Sequence, residues 1–214
     1  KKKIFLLDCG CNYGFYSFYT ASLSEENFVI ALEASSKTAD DFKKNLILNN
    51  FKNVILKNLA VSNTDGEIVI FNESKNDWES SLSHNEFEGT QKTNIKTNKI
   101  DTILKKQDLE NYSLFIKLDI EGYELQAIKG SMNIIQKYNP IFIIELSKYI
   151  FEDNNDNFIF FKNFLIDCDY SIYNTNNDIV SLENIMSLLK KLDIDHKTIG
   201  NYFLIKNKKK SKND

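Results

Sequence analysis

The sequence contains no arginine. All 27 of its cationic residues are lysine, against 30 aspartates and glutamates, and the formal net charge is −3. A guanidinium that clamps a phosphate or carboxylate through two parallel hydrogen bonds is therefore excluded, and an anionic ligand must be met by lysine or backbone amides. The negative charge also argues against polyanion binding as the main task, so no nucleic-acid partner is expected.

Cysteines and long apolar runs are scarce as well. Three cysteines do not make a disulfide framework, because Cys9 and Cys11 are too close in sequence to bridge comfortably. Neither His84 nor His196 lies near a second cysteine pair, so no metal site is assigned. No apolar run approaches the ~20 residues that cross a bilayer, and no signal-peptide pattern opens the chain. We therefore expect a cytoplasmic protein without a membrane span.

Strand and helix signals alternate along the chain. Apolar runs that predict strands lie at about 4–9, 28–33, 53–58, 113–119, 140–146, 170–174 and 201–206. Amphipathic stretches that predict helices lie at about 14–23, 37–49, 124–137, 156–168 and 182–192. Apolar strands separated by helices indicate an α/β fold with a mostly parallel sheet covered on both faces.

A glycine-containing turn follows the first predicted strand. Residues 8–14 read D-C-G-C-N-Y-G, and a lone acid, Glu33, ends the next apolar run. Glycine lets the backbone turn tightly and approach a ligand, and a carboxylate about twenty residues further on can hold two ribose hydroxyls. The pairing predicts a nucleotide-type cofactor site, with a helix-capping role as the alternative for Glu33.

The glycine spacing discriminates between nucleotide cofactors. A dinucleotide fingerprint needs glycine at positions 10, 12 and 15, where this chain has Gly10, Asn12 and Phe15. An NAD-dependent oxidoreductase is therefore disfavoured. The pattern D-x-G-x-N-x-G instead resembles the first motif of S-adenosylmethionine (SAM)-dependent methyltransferases, in which no phosphate has to be cradled. In that motif the amide of Asn12 can face the amino and carboxylate groups of the methionine moiety.

Further segments are similar, in the same order, to the FkbM family of methyltransferases over about residues 4–206. They include A-L-E at 31–33, A-V-S at 60–62, K-L-D-I-E-G-Y-E at 117–124 and P-I-F-I-I-E at 140–145. The K-x-D-x-E-G-x-E pattern is the most specific of these. Cys9, Cys11 and Ala34 depart from the family, which usually has an aliphatic residue, an alanine and a proline at those positions.

The resemblance implies one Rossmann-like methyltransferase domain over residues 1–206. Its sheet is expected to be mostly parallel, with an antiparallel C-terminal edge strand and helices on both faces. Methyltransferases of this fold commonly carry helices before the first strand, so we expect upstream sequence to be missing. The lysine-rich residues 207–214 are expected to form a disordered basic tail.

The resemblance also implies SAM as the cofactor. Ligands in open α/β sheets bind beyond the carboxyl ends of the strands, and the residues assigned to cofactor binding are Asp8, Gly10, Asn12, Gly14, Glu33, Ala34, Ala60 and Val61. Three roles stay open for Asp8. It orders the glycine turn or meets the methionine amino group, or it is a strand-end carboxylate that bonds nearby amides.

Acidic residues gather after the fourth main predicted strand. Asp119 shares a strand face with Lys117, and Glu121 lies just past the end of the strand. Asp119 is the best placed general base, and Glu121 is expected beside it. Glu124 falls in the first turn of the next helix, where a carboxylate complements the helix dipole. Glu145 could join this group or pair with Lys117.

A long polar segment separates the third and fourth main strands. A hairpin signal at Asp65-Gly66 introduces it, and residues 72–98 are predicted to be a lid-like insertion, with a solvated excursion as the alternative. His84 in this segment is the rival base to Asp119, although a loop histidine can also be merely solvated. Three carboxylates could bind Mg²⁺ or Ca²⁺, but the sequence does not place Glu145 beside the other two.

The expected activity is methylation of a hydroxyl group on a sugar or secondary-metabolite acceptor. This function follows from the family resemblance, because the residues themselves do not identify the acceptor. The alternative is a catalytically silent SAM-binding module within a larger protein. The oligomeric state is not predicted.

Overall fold

The structure is a computed structural model that describes residues 2–73, 91–151, 155–191 and 198–208. Its strands are β1 Lys3–Cys9, β2 Phe28–Glu33, β3 Val54–Asn58, β4 Ala60–Val61, β5 Ile68–Glu73, β6 Gln91–Asn98, β7 Tyr112–Leu118, β8 Ile141–Ser147, β9 Tyr170–Tyr173, β10 Ile179–Val180 and β11 Thr198–Lys206. Its helices are α1 Phe15–Ser22, α2 Ser36–Asn49, α3 Ile100–Leu104, α4 Glu124–Lys129, α5 Met132–Tyr138, α6 Lys148–Phe151, α7 Asn155–Asp167 and α8 Leu182–Leu189.

The main sheet confirms the predicted fold class. Its strand order is β10-β9-β11-β8-β7-β1-β2-β3, and the pairs from β3 through to β8 are all parallel. The C-terminal strand β11 is antiparallel, as predicted, but it lies between β8 and β9, and the short β10 forms the antiparallel edge. The chain runs from β1 outward through β2 and β3, then returns to β7 on the other side of β1. The strand order therefore reverses beside β1, where open α/β sheets bind ligands.

Helices cover both faces of this sheet. Alternate residues of β1 enter different cores: Phe5 and Leu7 pack into the larger one, with residues of α3, α4, α5, α7 and α8. Leu6 packs into the smaller one, with Ala21 of α1 and Phe42 of α2. Burial on both faces is the physical reason why the central strands are nearly continuous apolar runs.

A second sheet, in the order β4-β6-β5, corrects the extent of the predicted lid. Residues 91–98 form a strand that pairs with β5 as a hairpin and with the two-residue β4. These residues form a strand because their side chains alternate between the two faces: those of Ile95 and Thr97 are buried, and their neighbours are mostly polar. What remains of the predicted lid, residues 74–90 with His84, lies outside the described residues.

The predicted helix over 124–137 is two helices. Gly130 and Ser131 separate α4 from α5, and a Cβ atom at Gly130 would lie 2.4 Å from the carbonyl oxygen of Ser62. Asp101 accepts hydrogen bonds from the backbone amides of Asn133 and Ile134 in the first turn of α5. The second helix therefore has its own start.

The C-terminal boundary also differs from the prediction. Asn207 was assigned to a disordered tail, but its backbone amide donates to the carbonyl oxygen of Asp169 at 2.8 Å. Its side chain also donates to the Asp169 carboxylate. Among the helices in the described ranges, none is both long enough and apolar enough to cross a bilayer.

Candidate active site

Several of the predicted site residues lie at the carboxyl edge of the main sheet. Residues 10–14 follow β1, Glu33 ends β2, and Asp119 follows β7. These three parallel strands are neighbours in the order β7-β1-β2. We call residues 10–14, Glu33, Ala34 and Ala60 the cofactor wall.

Main-chain hydrogen bonds hold the cofactor wall together. The amides of Gly10 and Cys11 both donate to the carbonyl oxygen of Leu32, each at 3.0 Å. The Glu33 carboxylate is buried and accepts the amides of Asn12 and Ser35, each at 2.9 Å. Burial raises the pKa of Glu33, while backbone hydrogen bonds from Ser35, Asn12 and Ala34 act in the opposite direction. A carboxylate has about four acceptor positions, so capacity for about one hydroxyl group remains.

Glu33 is not the capping residue of α2. The N-cap is Ser35, whose side chain accepts the backbone amide of Thr38 at 3.2 Å. Asn58, at the end of β3, donates its side-chain amide to the carbonyl oxygens of Glu33 and Ala34 at 2.8 and 3.0 Å. The sequence prediction missed Asn58. The available signal was a polar residue at the end of a strand whose carboxyl end lies at this edge of the sheet.

Gly10 and Gly14 are glycine because of contacts inside the protein. A Cβ atom on Gly10 would lie 1.9 Å from the carbonyl oxygen of Asp119, and one on Gly14 would lie 2.4 Å from the ring of Phe18. Both residues also have positive φ angles, 73° and 94°. The prediction gave ligand approach as the reason for these glycines, and the structure adds close packing as a second one.

Asp8 lies inside the protein. Its carboxylate accepts the hydroxyl of Ser17 at 2.7 Å and lies 3.7 Å from the Nζ atom of Lys117. Burial raises the pKa of Asp8, partly offset by Lys117 and Ser17. Because the side chain is completely buried, this geometry fits a structural role better than direct contact with a ligand.

Lys117 links the two sides of the site. It is buried and donates to Oδ2 of Asp119 at 2.9 Å and to the carbonyl oxygen of Gly10 at 3.3 Å. Burial lowers its pKa, but Asp8 and Asp119 outweigh this effect and raise the pKa to about 12. A permanent positive charge therefore stands between the cofactor wall and Asp119.

The remaining residues assigned to the cofactor differ in accessibility. Asn12 has a φ of 48°, and its Oδ1 atom is buried with no hydrogen-bond partner in the described ranges. Ala60 packs with Ile95, and the partly buried Ala34 and Tyr123 lie against them. Val61 belongs to the larger core, so its side chain is not available to a ligand.

Three carboxylates meet where β7 ends, two from residues just after β7 and one from within β8. Asp119, Glu121 and Glu145 are half-buried, and one oxygen of each lies within 4.8 Å of the others. We call these residues the acid group. Burial, together with the negative charges of Asp119 and Glu121, raises the pKa of Glu145, and a hydrogen bond with Asp119 adds to the effect. The acid group can therefore hold a proton near neutral pH, and its oxygens are also the type of ligand that hard cations accept.

The loop that carries Glu121 is held by Glu124. Glu124 lies in the first turn of α4, as the sequence predicted, and its side chain is buried. Its two carboxylate oxygens accept hydrogen bonds from the amides of Ile120 and Gly122, each at 3.0 Å. Burial raises the pKa of Glu124 to about 7, against the effect of these hydrogen bonds. The predicted rival base, His84, lies outside the described residues.

Comparison with known proteins places this site in a family. The family model described as the methyltransferase FkbM domain matches residues 8–172, which include the cofactor wall and the acid group. The chain belongs to the FkbM methyltransferase family. The family of SAM-dependent methyltransferases indicated by the sequence motifs is therefore confirmed, while the acceptor and the site assignments stay predictions.

Solved methyltransferase structures have the same fold. The FkbM methyltransferase from Methylobacillus flagellatus KT matches with a TM-score of 0.54 and 17% identity, over 95% of this chain and 43% of that protein. An rRNA methylase from Streptococcus thermophilus matches with a TM-score of 0.50 and 12% identity, over 97% of this chain and 89% of that protein. This chain thus spans less than half the length of the FkbM protein. The comparison with curated proteins found no match.

Proposed function

We propose that this FkbM methyltransferase domain methylates a hydroxyl group of a sugar or secondary-metabolite acceptor. The observation that carries the proposal is the acid group beside the cofactor wall, at the point where the strand order reverses. A hydroxyl acceptor must lose a proton when it is methylated, and carboxylates placed next to the cofactor can receive it.

The residues of the cofactor wall fit SAM. Glu33 has acceptor capacity left for a ribose hydroxyl, and the buried Oδ1 of Asn12 can accept from the methionine ammonium group. Ala34, Ala60 and Tyr123 offer an apolar surface for the adenine. When bound, SAM supplies an electrophilic methyl group on a sulfonium.

The acid group divides the proton chemistry between two carboxylates. Asp119 is fixed by Lys117, which suits it to orient the acceptor hydroxyl. When both carboxylates of the Asp119–Glu145 pair are ionised, burial and their mutual repulsion raise the pKa of Glu145, so the pair takes the hydroxyl proton into a shared hydrogen bond as the oxygen–methyl bond forms. Alignment supplies most of the catalysis, and proton transfer adds about 10²- to 10⁴-fold.

Calorimetry tests the cofactor first. S-adenosylhomocysteine and NAD are titrated separately into the protein, and we expect S-adenosylhomocysteine to bind while NAD does not. Consumption of SAM is then measured with a panel of activated sugars, with a short rRNA hairpin as a separate arm. Binding of NAD alone would overturn the cofactor assignment. Turnover on the hairpin but on no sugar would replace the hydroxyl-metabolite acceptor with RNA.

The silent SAM-binding module is the second candidate. It predicts S-adenosylhomocysteine binding without turnover on any acceptor. The three carboxylates favour the enzyme, because a module that only binds SAM has no need for closely spaced acids whose mutual repulsion destabilises the fold.

A further inference from the structure

Glu124 lies outside the acid group but binds the loop that carries Glu121. It is buried, and its two carboxylate oxygens accept hydrogen bonds from the main-chain amides of Ile120 and Gly122. Each oxygen binds a different peptide unit, Ile120 on one side of Glu121 and Gly122 on the other. The carboxylate therefore brackets Glu121.

The bracketed loop has an unusual backbone. Glu121 has a φ of 53° and Gly122 a φ of 101°, and a glutamate rarely adopts a positive φ without support. The start of the loop is fixed separately, because the amide of Asp119 donates to the carbonyl oxygen of Cys9 at 3.3 Å and Gly10 packs against Asp119. Glu124 binds the far end of the loop through the amides of Ile120 and Gly122.

We propose that Glu124 is a positioning residue that keeps the Glu121 carboxylate against Asp119 and Glu145. It acts through the backbone of residues 120–122. The inference deepens the proposed function, since it concerns the same acid group. It gives Glu124 a different role from the helix-dipole complement that its place in α4 indicated.

Two substitutions separate the geometry of Glu124 from its charge. In Glu124→Gln the side chain has nearly the same size, but its NH₂ group meets an amide N–H and only one of the two hydrogen bonds can form. In Glu124→Asp the charge stays, while the acceptor oxygens are withdrawn by one methylene group. Ser131→Ala is the matched control, because Ser131 is also buried and its hydroxyl donates to the carbonyl oxygen of Ile128, away from residues 120–122.

The test measures the carboxyl ¹³C titration of Glu145 together with hydrogen exchange of the amides of Ile120 and Gly122. In both Glu124 variants we expect the Glu145 midpoint to fall by at least about 0.5 pH unit, because Glu121 moves away from it. The two amides should exchange at least about 10-fold faster. Ser131→Ala should match the wild type in both measurements.

Two results would overturn the proposal. One is an unchanged Glu145 midpoint in both variants. The other is a shift in Glu124→Gln with none in Glu124→Asp, which would show an effect of charge alone. If Glu124→Gln does not fold, Glu124→Asp decides by itself, because an unchanged midpoint there contradicts positioning.

The outcome can be told apart from a failure of the proposed function. The titration and the exchange experiment use the free protein and need no acceptor. A protein that binds no S-adenosylhomocysteine would defeat methyl transfer and leave the positioning result standing. An unchanged midpoint would defeat positioning and leave methyl transfer untouched.

Discussion

The cofactor wall and the acid group are neighbours that are built in opposite ways. In the wall, the charged group Glu33 is satisfied by backbone amides, and glycines pack against other parts of the chain without space for a side chain. In the acid group, three carboxylates face one another and the adjacent cation is Lys117. The wall is held by hydrogen bonds and close packing, whereas the acid group exists despite its own electrostatic repulsion.

This difference predicts different consequences of mutation. Changes in the wall should reduce stability or cofactor affinity, because they leave buried polar groups unpaired or create steric overlap. Changes in the acid group should reduce turnover and leave the fold intact, since functional sites often keep groups that cost stability.

The largest effect is expected for Gly10→Ala. Its Cβ atom would lie 1.9 Å from the carbonyl oxygen of Asp119, so the free energy of unfolding should fall by at least ~3 kcal/mol. Gly66→Ala is the matched control, since Gly66 has a φ of 75° and its nearest neighbour, the Cε atom of Lys96, would be 3.7 Å away. The control should lose only ~1 to 2 kcal/mol. Urea unfolding measures both, and equal losses would contradict the packing argument.

Asp119→Asn should lower turnover by about 10²-fold or more. The amide keeps the size of the side chain but cannot accept the hydroxyl proton, and its ion pair with Lys117 is lost. Steady-state rates of SAM consumption with the acceptor found in the panel measure the effect. Asp108→Asn, on the surface near β7, should be unaffected. Unchanged turnover in Asp119→Asn would move the role to Glu121 or Glu145.

Glu145→Gln should make the protein slightly more stable at pH 8. The pKa of Glu145 is about 8 in the folded protein, above its value in the unfolded chain. Between these two pKa values the folded protein binds more protons than the unfolded chain, so the free energy of unfolding falls as the pH rises. Glu124, with a pKa of about 7, acts in the same direction between about pH 4.5 and 7. Because Glu145 is partly exposed, the gain should stay below ~1 kcal/mol. Thermal unfolding at pH 5 and pH 8 measures it, and a loss of stability at pH 8 would contradict the repulsion.

Chelation should have the smallest effect. Lys117 already places a positive charge against Asp119, so we expect methyl transfer to change less than about 2-fold when EDTA is added. The rate of SAM consumption before and after EDTA measures this. A large loss that MgCl₂ restores would instead assign a divalent cation to the acid group.

Much of the fold could be predicted because its strands are buried on both faces. Runs such as Phe28–Glu33 and Tyr112–Leu118 are almost continuously apolar, and the structure places both strands within one residue of the prediction. β6 could not be recognised in the same way, because only Ile95 among its residues is strongly apolar and its partner residues in β5 lie at least 18 positions away along the chain. The break at Gly130 depends on the carbonyl oxygen of Ser62, a contact that local sequence does not contain.

The candidate site was predictable where a residue type is tied to the end of a strand. Glu33 and Asp119 follow from that rule, and both lie at the expected edge of the sheet. The pattern could not show that Asp8 is buried against Ser17 and Lys117, or that Val61 packs in the core. It also could not show that Glu124 binds loop amides, because those contacts depend on the backbone conformation of Glu121 and Gly122.

The division between the two regions is tested most directly by calorimetric titration of S-adenosylhomocysteine into the wild type, Glu33→Ala and Asp119→Asn. Glu33→Ala removes the proposed ribose ligand and should weaken binding by about 1 to 3 kcal/mol. Asp119→Asn should bind within about 3-fold of the wild type, which corresponds to less than ~0.7 kcal/mol. Wild-type affinity in Glu33→Ala, or equal losses in the two variants, would contradict a cofactor wall that is separate from the acid group.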